Sequence, residues 1–169
     1  MTNANFDLPI RSAAAGREAT AWLTLGLVSL VAAGVFSILL VLARTPVVQG
    51  MIPFLDFFRV ALVVHVILSV LIWLLAVSAA CWSLSTSRDR PIWDRLSFSL
   101  AAFGTIVIIV CPFIGAGRPL MNNYVPILQH PLFYAGLLLF AAGICSHLVR
   151  TLLDRKRLTA AVSYTHLRA

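Results

Sequence analysis

The chain alternates between long apolar runs and short polar segments. Four runs, residues 20–43, 57–84, 96–114 and 131–149, contain almost no charge. Each is long enough to cross a hydrocarbon core of roughly 30 Å, which takes about 20 residues in a helix. Backbone in lipid has to satisfy its own hydrogen bonds, so each run is predicted to be helical. The pattern predicts an all-α integral membrane protein with four spans.

Composition supports this class. Of the 169 residues, 60% are hydrophobic and 11% charged, and the mean hydropathy is +0.95, far too apolar for a soluble domain. The formal charge of +7 does not indicate a nucleic-acid partner, because the basic residues lie at the ends of the runs. Cys81, Cys111 and Cys145 lie in separate runs without the spacing of a zinc or redox motif. They are expected to be small buried residues.

The basic residues also predict the orientation. Ten lie in the N-terminal tail, the loop after the second run and the C-terminal end of the chain. The other side has three: Arg44, Arg59 and Arg118. Loops rich in arginine and lysine stay in the cytoplasm, so both termini are expected there, in a bacterial inner membrane. Trp22, Trp82 and Trp93 fall at the predicted cytoplasmic ends, where an indole N–H can stay in water.

This organisation divides the chain into a cytoplasmic tail (1–19), a transmembrane region (20–153) and a basic cytoplasmic tail (154–169). The outer loop PFIGAGRPLMNNYVPILQHP, residues 112–131, is rich in proline, glycine and asparagine. It is expected to be an irregular surface segment, either a lid over the outer half of the bundle or a plain connector. The final SYTHLRA comes after the charged DRKR, and we expect it to be either non-native or a genuine short polar tail.

One histidine, His65, lies inside the second run, in FFRVALVVHVILSVLIWLLA (residues 57–76). An ionisable side chain within a span is costly and usually functional. Three roles are open for it: a ligand of a metal or heme, a proton relay, or a neutral imidazole bonded to a neighbouring helix.

The depth of His65 in the membrane decides which other histidine could bind the same heme. At a rise of 1.5 Å per residue it lies roughly 12 Å below the outer boundary. Its neighbours one turn away, Ala61 and Ser69, are small, which leaves room for a flat macrocycle and equally suits close helix packing. His147 lies roughly 24 Å down, and His130 is at the boundary itself. Neither is level with His65, so a second axial ligand is not expected among these residues.

The same stretch, the later GAGRPLMNNYVPILQHPLFYAGLLLF and the order of the helices resemble the N-terminal third of a bacterial heme-copper oxidase catalytic subunit. This is cytochrome c oxidase subunit I in the broad sense, and the resemblance covers about residues 21–153. It implies that His65 is an axial ligand of the low-spin heme iron. It also implies that the chain is an N-terminal fragment of a larger bundle of about a dozen spans, whose later helices hold the remaining heme ligands.

The complete parent would then be a respiratory oxidoreductase with a high-spin heme and copper, neither of which can be assigned a ligand here. Its implied partners are membrane lipid, other oxidase subunits and an electron donor such as cytochrome c. No catalytic residue is assigned in this fragment, which is expected to be inactive alone.

Three further residues have weaker claims. Arg59 could pair with a heme propionate. It points some 120° away from His65, however, so snorkelling to the interface is favoured. Ser69 could bond the free ring nitrogen or its own i−4 carbonyl, the usual habit of a helix serine. Trp73 could touch a heme edge, although packing against a neighbouring helix is the favoured reading.

Two other functions stay open. One is the catalytic subunit of a nitric oxide reductase, related in fold but different in reaction. The other is a membrane anchor or assembly module without heme, in which His65 only bonds a neighbouring helix. The second predicts a colourless purified protein.

Overall fold

The computed structural model describes residues 12–49, 56–86, 90–115, 117–121 and 126–166, with side chains to residue 154 in the last range. In chain order the elements are α1 (Ala13–Leu42), α2 (Pro46–Gln49), α3 (Phe57–Val66), a π-helical segment (Ile67–Ile72), α4 (Trp73–Leu84), α5 (Pro91–Val110), a 3-10 turn (Cys111–Ile114), β1 (Arg118–Leu120), β2 (Ile127–Gln129) and α6 (Pro131–His166).

Four helical stretches are long and apolar enough to cross a membrane. They are Ala13–Leu42, Phe57–Leu84, Pro91–Ile114 and Pro131–Asp154. The prediction of an all-α fold with four candidate spans is therefore confirmed.

The helices extend beyond the apolar runs that predict them. α1 begins at Ala13 because the Ser12 hydroxyl caps it, accepting a hydrogen bond of 3.1 Å from the Ala15 amide. α5 begins at Pro91, a residue that favours the first helical turn. α6 continues to His166. Parts of both segments predicted as tails are thus helical, while residues 1–11 and 167–169 lie outside the described residues.

The second span is one continuous helix with a π-helical segment in its middle. The segment begins at Ile67, just after His65. π-helical turns are rare and often found at functional sites. α1 packs along this whole span, from α3 through α4.

α5 and α6 form the second closely packed pair. A Cβ built on Gly104 would lie 2.5 Å from the carbonyl oxygen of Gly136 and 2.5 Å from the amide nitrogen of Phe140. One on Gly143 would lie 2.5 Å from the carbonyl oxygen of Ser97. Small residues let the two backbones approach, as is typical of helices in membranes.

The loop between α5 and α6 contains a short hairpin, so the expectation of an irregular segment was wrong for this part. β1 and β2 pair antiparallel, with Arg118 opposite Gln129. The side chain of Leu128 is fully buried, which anchors β2 on the bundle. The two asparagines of the predicted loop lie outside the described residues.

Two expectations about single residues were wrong. Trp22 is fully buried, with its N–H unpaired among the described residues, instead of in interfacial water. The reason is that α1 starts at Ala13, which places Trp22 inside the bundle. Of the cysteines only Cys111 is buried, while Cys81 and Cys145 are exposed on their helices.

Candidate functional site

The imidazole of His65 is half-buried and held by α1. Its Nδ1 lies 2.9 Å from the carbonyl oxygen of Ala33. A carbonyl oxygen only accepts hydrogen bonds, so Nδ1 carries the proton and donates. In the neutral ring the lone pair is then on Nε2, which forms no hydrogen bond with the residues that the structure describes. The bond fixes both the tautomer and the direction of the ring.

The space around His65 differs in part from the sequence expectation. Ala61 is fully buried against other helices, so it leaves no room for a macrocycle. Ser69 donates its hydroxyl proton to the His65 carbonyl oxygen at 2.8 Å, and is not bonded to the ring. The less covered side of the helix is that of Leu62, Ser69 and Val70, the last of these 52% exposed. A ligand of the ring would approach from this side.

Arg59 and Trp73 lie outside this arrangement. The Arg59 side chain is exposed, consistent with snorkelling. Trp73 packs against α1, because a Cβ on Gly26 would be 3.1 Å from its indole ring. Trp73 thus makes the contact with a neighbouring helix that was favoured over contact with a heme edge.

A second group of polar side chains lies at the other end of the bundle. It consists of Glu18 on α1, Asp94 on α5, and His147 and Arg150 on α6, and we refer to it as the charged cluster. Along α1, Glu18 and Ala33 are separated by 15 residues, or about 22 Å. His65 and His147 therefore lie at different depths and cannot share one ligand.

Close ion pairs connect the charged cluster. Glu18 binds both α6 residues: its Oε1 lies 3.1 Å from His147 Nδ1 and its Oε2 lies 2.7 Å from an Arg150 nitrogen. Arg150 Nε is 2.9 Å from Asp94 Oδ1. The side chains of His147 and Arg150 are 0% and 2% exposed, those of Glu18 and Asp94 9% and 17%. Cations on α6 thus bridge the first and third spans.

The other ring nitrogen of His147 faces α4. Nε2 lies 3.1 Å from the carbonyl oxygen of Ala79 and 3.3 Å from the hydroxyl oxygen of Ser83. Two indoles contact the ring: Trp22 at 5.1 Å between centroids and Trp82 at 6.3 Å, nearly parallel. His147 on α6 therefore contacts the first span through α1 and the second span through α4.

Sequence reasoning missed the charged cluster. By sequence alone Glu18 belongs to the N-terminal tail, Asp94 lies before the third run, and Arg150 is one of the orienting cations. A signal was present, since His147, Arg150, Thr151 and Asp154 recur at the spacing of one helix face. All four are buried.

A cavity of about 220 Å³ lies between α1 and α5 beside the cluster. Its lining comprises Ala14, Arg17, Glu18, Ala21, Trp22, Pro91, Asp94, Arg95 and Phe98. It is large enough for several water molecules at about 30 Å³ each. Among the described residues, no group of three or more histidine, cysteine or carboxylate side chains is arranged to hold a metal ion.

Comparison with known proteins finds two bacterial relatives. An uncharacterized protein of Rickettsia prowazekii is 34% identical, over 79% of this chain and 31% of the relative. An uncharacterized protein of Aquifex aeolicus is 32% identical, over 78% of this chain and 33% of the relative. The chain thus spans about a third of the length of the curated relatives it matches. No family model and no solved structure matches it.

Proposed function

We propose that this chain is the membrane-embedded N-terminal part of a heme protein of the heme-copper oxidase type, in which His65 is an axial ligand of a low-spin heme. One observation supports this most: the hydrogen bond from His65 Nδ1 to the Ala33 carbonyl oxygen. Ligand histidines in proteins commonly donate their second ring N–H to a carbonyl or carboxylate, which orients the ring.

The residues around His65 fit such a group. Nε2 is left with its lone pair, and the partly exposed Leu62, Ser69 and Val70 offer an apolar surface with a single hydroxyl. That hydroxyl is already bonded to backbone, so it does not compete for Nε2. When bound, heme would supply one-electron chemistry, while the chain would orient the imidazole and keep water away from it.

The second axial ligand has to come from another part of the protein. His147 is engaged about 22 Å away, as measured along α1. His130 accepts a hydrogen bond of 3.2 Å from the Leu132 amide at the start of α6. This chain matches only 31% and 33% of the lengths of the two relatives, and the remainder would supply the helices that carry this ligand, together with those of a high-spin heme and copper.

The proposal includes an orientation and partners. The end with the charged cluster faces the cytoplasm, in agreement with the excess of basic residues there. The His65 end faces outward, on the side from which a donor such as cytochrome c delivers electrons. Other oxidase subunits and lipid cover the remaining faces of the bundle.

The test uses the gene that encodes this chain, expressed through its natural stop codon. His65→Ala should remove the low-spin heme absorption from the purified protein, whereas His130→Ala, at the same end of the bundle, should keep it. An unaltered low-spin spectrum in His65→Ala would refute the ligand assignment. A colourless wild-type protein would favour the heme-free anchor, for which the bond to Ala33 would be the sole role of His65.

A further inference from the structure

We infer that Glu18 and His147 form a proton-binding site at the charged end of the bundle, that the histidine is held there as imidazolium, and that protons reach it through the cavity between α1 and α5. This inference concerns the charged cluster alone and is independent of heme at His65.

The polar contacts of both His147 ring nitrogens, an ion pair at Nδ1 and hydrogen bonds at Nε2, favour the doubly protonated ring. Nδ1 faces the carboxylate of Glu18 and Nε2 faces the carbonyl oxygen of Ala79, and both of these oxygens accept. The Ser83 hydroxyl donates to the same Ala79 carbonyl at 2.9 Å, so its oxygen too presents lone pairs to Nε2. In a neutral ring one nitrogen has a lone pair, which would face the lone pairs of an oxygen atom. In imidazolium both nitrogens carry a proton, so each of them faces an acceptor as a donor.

The charges of the cluster also favour the imidazolium form of His147. Glu18 and Asp94 contribute two negative charges, and Arg150 one positive charge. An uncompensated charge within a span is costly. Imidazolium at His147 makes the four contacting groups neutral together. The Trp22 indole, whose ring centroid lies 5.1 Å from that of the imidazole, also favours a cation.

Every helix around His147 contributes to this environment. α1 provides Glu18, with Arg17 lining the cavity; α5 provides Asp94, with Arg95 beside the cavity. From α4 the groups that face the ring are uncharged: the Ser83 hydroxyl, the Ala79 carbonyl and the Trp82 indole. On α6 itself, Arg150 follows after one turn and the buried Asp154 after two.

Glu18 connects the cavity with the ring. Its side chain forms part of the cavity wall and is 9% exposed, whereas the His147 side chain has no exposure. A hydronium ion in the cavity gives its proton to the Glu18 carboxylate and leaves as water. The carboxyl O–H bond of Glu18 then breaks as the Nδ1–H bond of His147 forms. Nε2 keeps its own proton, which it donates in a hydrogen bond to the Ala79 carbonyl oxygen. Release follows the same steps in reverse.

Nitrogen NMR of the chain, labelled with ¹⁵N-histidine and reconstituted in lipid nanodiscs, tests the inference. The His147 signal is assigned by its loss in His147→Gln. At neutral pH both ring nitrogens should have shifts of protonated nitrogen. One protonated and one unprotonated nitrogen in the wild-type protein would overturn the inference without any substitution.

The role of Glu18 is tested with Glu18→Gln, which keeps the shape and removes the charge. His147 should then bind its proton at least tenfold more weakly than in the wild-type protein. Arg17→Gln, a change of charge in the same cavity wall, should shift that release much less. An unchanged titration of His147 in Glu18→Gln would contradict the pairing of Glu18 with His147. An equal shift in Arg17→Gln would show a general effect of charge instead of this pairing.

The route is tested by filling the cavity. Ala21→Leu should slow the exchange of the His147 ring protons with D₂O several-fold, while Ala135→Leu, an exposed position on α6, should leave it unchanged. Equal exchange rates in wild type and Ala21→Leu would show that protons arrive by another path.

Discussion

The charged cluster predicts that Arg150→Met strongly destabilises the bundle. Arg150 is 2% exposed, and its guanidinium contacts the carboxylates of Glu18 at 2.7 Å and Asp94 at 2.9 Å. Methionine fills much of the same volume with a flexible apolar chain. The substitution therefore removes the charge with little change of packing, and leaves two carboxylates with His147 as their cation.

The expected loss follows from that charge imbalance. Removing one partner of a buried ion pair costs about 3–5 kcal/mol, because the remaining charge stays buried without compensation. The 17% exposure of Asp94 allows water to reach it, which favours the lower half of that range. Since whole domains are stable by about 5–15 kcal/mol, this would be a large part of the total.

The assay is unfolding of the purified chain in mixed detergent micelles, followed by near-ultraviolet circular dichroism. That signal includes Trp22, which packs on His147. The control is Arg118→Met, an exposed position in β1, for which a change of under about 0.5 kcal/mol is expected.

A compensating variant separates charge from packing. In the triple variant Glu18→Gln, Asp94→Asn, Arg150→Met the charges disappear together, and most of the lost stability should return. Equal stability of Arg150→Met and wild type would refute the reasoning, as would a triple variant less stable than the single one.

Three further outcomes are expected. Gly104→Ala should lower stability by about 1–3 kcal/mol, because its new methyl group meets the backbone of α6. Gly34→Ala, which has open space around it, should be neutral or slightly stabilising. Similar losses for both variants would contradict the close contact between α5 and α6. Ser69→Ala should leave any low-spin heme spectrum unchanged, since its hydroxyl bonds the helix backbone, and a shifted spectrum would show a contact with the ring or the heme. A cysteine introduced at Asn122 in a cysteine-free background should be labelled from outside the cell, and labelling from the cytoplasmic side alone would reverse the proposed orientation.

The apolar runs predicted the spans because hydrophobicity over a window reports the need to cross lipid. They placed the helix ends less well. A helix continues through polar residues such as Glu18 and Asp94 when these have partners inside the bundle, and hydropathy does not register partners. The π-helical segment and the hairpin register likewise depend on contacts between segments, which a single run does not encode.

The two histidines illustrate the same limit for the sites. His65 stands out in the sequence because its surroundings are uniformly apolar, and its depth could be calculated from helical rise. His147 lies near charged residues, and its depth excluded it only as a second heme ligand. Its importance depends on Glu18, 129 positions away in the chain, and on the Ala79 carbonyl. Only the packing of α1, α4 and α6 brings these groups together.

The most direct test of the central claim is ligand rescue at His65. In the protein expressed from the full gene, His65→Gly should abolish the low-spin heme spectrum, and added imidazole should restore it by occupying the vacated position beside the iron. His130→Gly should show neither effect. A low-spin spectrum that persists in His65→Gly without imidazole would contradict the claim that His65 binds heme.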